Sequence, residues 1–221
     1  MTATTSAPTT DESLSALLRT GTRGEHQAAE SSAFVDRLLA GDLTAAAYTD
    51  LAAQLLHVYR ALEQVGDSLA DDPVGSTLVF EALRRAPALE HDLAALSGAD
   101  WRERPDVITP HPVTAAYTAR ILAGGLTGYV AHAYTRYLGD LSGGQIIARM
   151  VQRHYGIPED ALTFYRFPEI DKLKPFKDVY RARLDALTLT AEQRHAVVAE
   201  SREAFRANRE LFTVLGAAHL S

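Results

Sequence analysis

A single all-α domain is predicted, and three observations carry the prediction. Apolar residues recur at spacings of three and four from Asp11 onward. No alternating apolar and polar run between turn residues marks a strand. The 221 residues, 47% hydrophobic and 23% charged, have the length and composition of one globular domain, with no shift that separates two halves. Residues 1–10 lack an apolar periodicity and are expected to form a disordered tail, leaving 11–221 as the domain.

The elements follow in order. A first helix is expected from about Asp11 toward Glu30, with Leu14, Leu17 and Leu18 on one face, although Gly21 and Gly24 each weaken it by about 1 kcal/mol. A short helix from Ser32 to Ala40 stops at Gly41. Thr44 caps a long amphipathic helix to about Ala70, in which Leu51, Leu55, Val58 and Leu62 share a face. Two shorter helices are expected from Ser76 to Arg85 and from Pro87 to Leu96, and the three prolines between Trp101 and Pro112 mark a loop. Val113 to Tyr155 reads as one long helical pattern, although it contains six glycines. After a turn at Gly156-Ile157-Pro158, a helix from about Pro175 to Leu187 is followed by a last one to about Leu215. That last helix opens on the capping box Thr190-Ala-Glu-Gln193.

Composition removes several function classes. With no cysteine there is no disulfide, thiolate metal site, covalent heme attachment or cysteine nucleophile, and a reducing, cytoplasmic setting is expected. A net charge of −6 without long like-charge runs argues against nucleic acid as a partner. One segment is locally basic: from Arg166 to Arg183 six cations face three acids, a local +3 that leaves −9 for the rest. The longest apolar stretch, Ile121 to Thr135, lies between two arginines, holds three glycines and is too short to span a bilayer, so no membrane anchor is expected. The N-terminus has neither the basic nor the apolar region of a secretory signal.

The run Tyr134-Thr-Arg-Tyr-Leu-Gly-Asp-Leu-Ser-Gly-Gly-Gln145 departs from packing logic, because three helical glycines cost about 1 kcal/mol each relative to alanine. Gly139 and Gly143 are one turn apart on one face, where a bare backbone suits either a flat ligand or a closely packed helix. Leu141-Ser-Gly-Gly-Gln145 is also the signature of ABC-type ATPases, but that reading needs a phosphate-binding loop and the dipeptide Gly-Lys occurs nowhere. Asp140, between leucines, either partners nearby groups or organises water and protons. Of eight histidines, two stand out. His26 precedes Glu30 by one helical turn, so a carboxylate can fix its tautomer as metal-bound histidines require. His132 shares a face with Gly139, and spacing leaves the two histidines level. A di-iron bundle would need paired Glu-x-x-His motifs, and only Glu192-Gln-Arg-His195 fits.

Taken together, His26 with Glu30 and the 134–145 run resemble the heme oxygenase family. The likeness extends from about Asp11 to Leu215 and includes Phe176-Lys-Asp-Val-Tyr-Arg181 and Phe205-Arg-Ala-Asn208. Compact bacterial members are the most similar in length. The resemblance implies an all-helical fold holding heme b between a proximal N-terminal helix and a bent, glycine-rich distal helix. It assigns His26 as the iron ligand, Glu30 as the carboxylate near its other nitrogen, and His132 as a packing residue. Gly139 and Gly143 lie over the heme, Asp140 holds a distal water network, and Arg19, Tyr134, Lys177 and Arg181 surround the heme propionates. Phe205 and Asn208 complete the heme-binding set. Many family members carry lysine where Arg19 stands, which keeps the charge and changes the hydrogen-bond geometry.

The implied reaction cleaves heme, with O2 and external electrons, to biliverdin, carbon monoxide and ferrous iron, and the family favours the α isomer. Heme is then substrate and cofactor together. The basic 166–183 segment can pair with two propionates and so orient the ring, and Asp140 can supply protons through water. No GxGxxG follows a strand, so the electron donor is expected to be a separate reductase or ferredoxin. A heme carrier or sensor without turnover is the main rival; it explains His26 and the basic segment but not Asp140 among the glycines. A thiaminase-like enzyme would need a cysteine, and a plain helical interaction module would bind no heme.

Overall fold

The computed structural model describes residues 12–220, the side chain of Glu30 excepted, so the expected tail lies outside the described residues. Ten α-helices and five short 3-10 turns, with no strand, make up the described chain. They are α1 (Leu14–Gly21), α2 (Arg23–Glu30), α3 (Ala33–Ala40), α4 (Ala45–Ser68), α5 (Ala86–Ser97), α6 (Pro105–Ile108), α7 (Pro112–Ala123), α8 (Gly125–Tyr155), α9 (Leu173–Asp185) and α10 (Ala191–His219). Helix α8 is central, packing against α3, α4, α7, α9 and α10. Its buried Val130, Ala131, Ala133 and Leu141 share a core with Tyr59 and Leu62 of α4, Ile121 of α7 and Leu211 and Leu215 of α10. Each fully buried Leu or Val contributes about 1.5–3 kcal/mol through removal from water.

The helix starts follow the sequence closely. Ser13, Ser32, Thr44 and Thr190 each accept a bond from the backbone N–H three residues on, and the Thr190–Gln193 capping box is complete. Gly41 ends α3 with φ 84°, a conformation that a side chain would strain.

Four expectations are corrected. The first helix is two, because Thr22 leaves helical geometry (φ −112°, ψ 5°) and turns its hydroxyl back onto the Leu18 carbonyl at 2.7 Å. Gly21 before it permits α10 to approach, since a Cβ there would meet Val198 Cγ1 at 2.7 Å. Residues 76–85 form no α-helix but lie between and within the 3-10 turns Gly75–Leu78 and Glu81–Leu83. The buried carboxylate of Glu63 takes the backbone N–H groups of Arg85 and Ala86 and so starts α5 there. The 101–112 loop contains the turn Trp101–Glu103 and α6. The long 113–155 pattern is α7 and α8, with the break at Gly124 and at Gly125, whose φ is +54°. Smaller shifts move α9 two residues toward the N-terminus and carry α10 on to His219.

Behind α8 lies the aromatic segment 164–167. Asp92, fully buried on α5, accepts from both backbone N–H groups of Thr163 and Phe164 and from the Thr163 hydroxyl. Arg85 donates to the carbonyls of Phe164 and Arg166 and lies over the Phe167 ring at 4.2 Å. Thus held, Tyr165 supports the glycine segment of α8: a Cβ on Gly144 would stand 2.9 Å from Tyr165 Cδ1.

Candidate active site

A cavity of about 850 Å³ opens between α1 and α2 on one side and α8 on the other, with α10 at its back and α9 at its edge. It brings together Arg19, His26, Tyr134, Gly139, Asp140, Gly143, Arg181, Phe205 and Asn208, nine of the residues that the sequence singles out. Lys177 does not line it; its ammonium donates instead to Ser142 Oγ at the rim, 3.1 Å away. The side chain of Glu30 lies outside the described residues.

The proximal wall is α2, an amphipathic helix that buries Ala29 and carries His26 facing the cavity. The Phe205 ring of α10 and the His26 ring meet edge to face with centroids 5.4 Å apart. Arg202 of α10 holds the Gly21 carbonyl at 2.6 Å, and Arg206 faces Glu25 at 3.5 Å, which seats α1 and α2 against α10.

The opposite wall is the glycine segment of α8. A Cβ at Gly139 or Gly143 would meet no atom within 4 Å, so both present open backbone, whereas Gly144 is the glycine that close packing requires. Close packing thus accounts for Gly144, while Gly139 and Gly143 leave bare backbone open to the cavity.

Asp140 is buried on this wall and accepts a hydrogen bond from the Tyr59 hydroxyl of α4. Arg136, one helical turn earlier, donates through Nε to Tyr59 Oη at 3.2 Å and through Nη1 to Asn208 Oδ1 at 2.7 Å. Its Nη2 lies 3.7 Å from Asp140 Oδ1. Burial raises the Asp140 pKa above the usual carboxylate range, while the Arg136 cation and the Tyr59 hydrogen bond pull the other way. Burial likewise lifts the Tyr59 phenol well above its ordinary value. Sequence reasoning missed both partners. Arg136 carried a signal, a cation four residues before Asp140 on one buried helical face; Tyr59, 81 residues away, carried none.

Of the two histidines level by spacing, only His26 reaches the cavity. His132 is fully buried elsewhere, its Nε2 3.0 Å from Glu200 Oε1 and its ring 5.5 Å from that of Tyr117. Arg120 holds Glu200 through two bonds of 2.6 Å. Two further histidines, His111 and His219, share the carboxylate of Asp50. Among the described residues no group of three His, Cys, Asp or Glu side chains is arranged to hold a metal ion.

At the remaining edge, Arg19 and Arg181 converge with Tyr134. Burial raises the Tyr134 phenol pKa, and the two guanidinium charges oppose that rise. Arg181 also pairs with Asp178 at 2.9 Å. The chemistry of this cavity suits a flat, dianionic ligand with a ligand-hungry centre: an imidazole on one face, bare backbone on the other, cations at one edge. Heme fits that description in each respect. No helix among the described residues is long and apolar enough to cross a membrane.

Comparison with known proteins identifies the family. The heme oxygenase family model matches residues 12–214. Heme oxygenase 1 of Rattus norvegicus is 39% identical over 212 residues, 93% of this chain and 72% of the rat protein. Heme oxygenase 1 of Synechocystis sp. is 34% identical over 202 residues, 91% of this chain and 84% of that protein. The crystal structure of Synechocystis heme oxygenase-1 in complex with heme superposes with a TM-score of 0.88, covering 94% of each chain at 34% identity. The structure of heme oxygenase from Leptospira interrogans gives 0.84, covering 91% of this chain and 98% of the other at 34% identity. This chain belongs to the heme oxygenase family and is an oxidoreductase of that class.

Proposed function

We propose that the chain binds heme b between α2 and α8, with His26 as the iron ligand. It cleaves that heme with O2 and external electrons to biliverdin, carbon monoxide and ferrous iron. One observation carries the reading: His26 faces open backbone at Gly139 and Gly143 across a single cavity, with the Asp140 network beside it. Heme, when bound and reduced, supplies the iron that binds and activates O2.

The protein's own residues do the rest. Gly139 and Gly143 allow the distal helix to lie close over the ring, so that water is largely excluded there. Arg19 and Arg181, joined by Lys177 from the rim, pair with the propionates and fix the ring's rotation in its plane; that fixes which meso carbon is presented, the α carbon in this reading. Asp140, with its raised pKa and its links to Tyr59 and Arg136, holds and passes protons through water on the O2 side. Phe205 braces the ligand imidazole, and Asn208 holds Arg136. Electrons come from a separate reductase or ferredoxin.

The test is an optical titration with hemin, followed by ascorbate or a reductase under air. One equivalent should bind, after which the Soret band should fall as biliverdin appears, with chromatography giving the isomer. A Soret band that persists under several donors would assign the chain to heme carriage or sensing instead.

A further inference from the structure

Lys177 and Arg181 lie one turn apart on α9, yet the protein places their charges differently. Arg181 lines the cavity and pairs within its own helix, with Asp178. Lys177 reaches across to α8, where Ser142 Oγ accepts its ammonium at 3.1 Å. Ser142 does line the cavity, and in sequence it stands between Asp140 and Gly143.

An ammonium on a four-carbon stem has no planar fork to orient it, so it sits where its partners put it. Donating one N–H to Ser142 leaves two for a carboxylate at the same rim. We propose that Ser142 is a positioning residue: it seats the Lys177 ammonium on the distal-helix side of the rim. The acid edge of the ligand is then registered against α8 as well as α9. The proposal rests on the heme reading above. Through that registration Ser142 selects which edge of the ring lies beside Asp140, and hence which biliverdin isomer forms.

The experiment compares wild type, Ser142→Ala and Ser142→Thr, which keeps the hydroxyl. In heme-free protein, the Lys177 side-chain NMR signals should shift in Ser142→Ala and return in Ser142→Thr. In the ferric heme complex, Ser142→Ala should show a second set of heme-methyl resonances. It should bind hemin about fivefold more weakly, the effect of one exchanged hydrogen bond. It should also release a mixture of isomers where wild type releases one. Lys177 signals unchanged by Ser142→Ala overturn the proposal whether or not heme binds. So does an unchanged isomer ratio with a wild-type heme-methyl spectrum. Absence of any hemin binding by wild type would instead refute the heme reading, and the heme-free comparison would still decide whether Ser142 seats Lys177.

Discussion

Replacing Gly139 or Gly143 by alanine should make the heme-free protein more stable and the heme complex weaker. Alanine is favoured over glycine inside a helix by about 1 kcal/mol. At both positions a Cβ meets nothing within 4 Å, so no clash offsets the gain. Each substitution should therefore add about 1 kcal/mol to the unfolding free energy, roughly 2–4 °C in Tm for a chain of this size. Gly144→Ala gains the same propensity, but its Cβ would lie 2.9 Å from Tyr165 Cδ1, where overpacking costs about 1–3 kcal/mol, so it should be neutral to destabilising. In the complex, the new methyl at 139 or 143 stands where the ring would lie. The same overpacking range predicts about 5- to 150-fold weaker hemin binding. Urea unfolding of the three heme-free variants and hemin titrations measure both quantities. A Gly139→Ala protein that is less stable without heme would mean that the glycine serves packing. Unchanged hemin affinity would mean that the bare backbone is not the ligand face.

Three further outcomes are expected. His26→Ala should lose the histidine-ligated heme spectrum and regain it with added imidazole, whereas His132→Ala should keep that spectrum and lose stability, as judged by urea unfolding. Asp140→Ala should bind hemin with near wild-type stoichiometry but yield little biliverdin, so a wild-type yield would remove Asp140 from proton delivery. Glu200 is held down to about 2, first by its hydrogen bond to His132, against partial burial and together with Arg120. With its folded pKa below the ordinary 4.5, it contributes stability that is fully present above about pH 4.5 and lost as pH falls toward 2. Discounted for solvent screening, that contribution is about 1–2 kcal/mol. Acid unfolding of Glu200→Gln should lack this part of the slope.

Helix starts and stops were legible because their signals are local: Ser32, Thr44, Gly41 and the Thr190–Gln193 box each act within one turn. Two of the breaks that sequence reading missed are set from afar. Thr22 turns where α10 crosses Gly21, and the 76–85 segment is shaped by Glu63 from 22 residues away. The site divides in the same way. Asp140 and the glycines stand out through a motif that conflicts with helix propensity, His26 through Glu30 one turn on and the family resemblance, and Lys177 and Arg181 through a local excess of charge. Tyr59 is a tyrosine on an ordinary apolar stripe, and only the packing of α4 against α8 gives it Asp140 as a partner. Lys177 shows the opposite failure: its charge was visible, but its direction depends on a serine 35 residues earlier.

His132, Arg136 and Asp140 follow one another at intervals of four along α8, and each meets a polar partner, Glu200 and Asn208 on α10 and Tyr59 on α4. Apolar surfaces tolerate small slides, because one methyl group substitutes for another. Specific hydrogen-bonded pairs do not: a slip of one helical turn, about 5.4 Å, would leave all three without their partners. The alignment of the glycine helix against its neighbours is thus all-or-none, like teeth on a rack. The apolar lining at Leu138, Ile147 and Phe212 can then vary during evolution, reshaping the cavity for other ligands while its two walls stay in alignment.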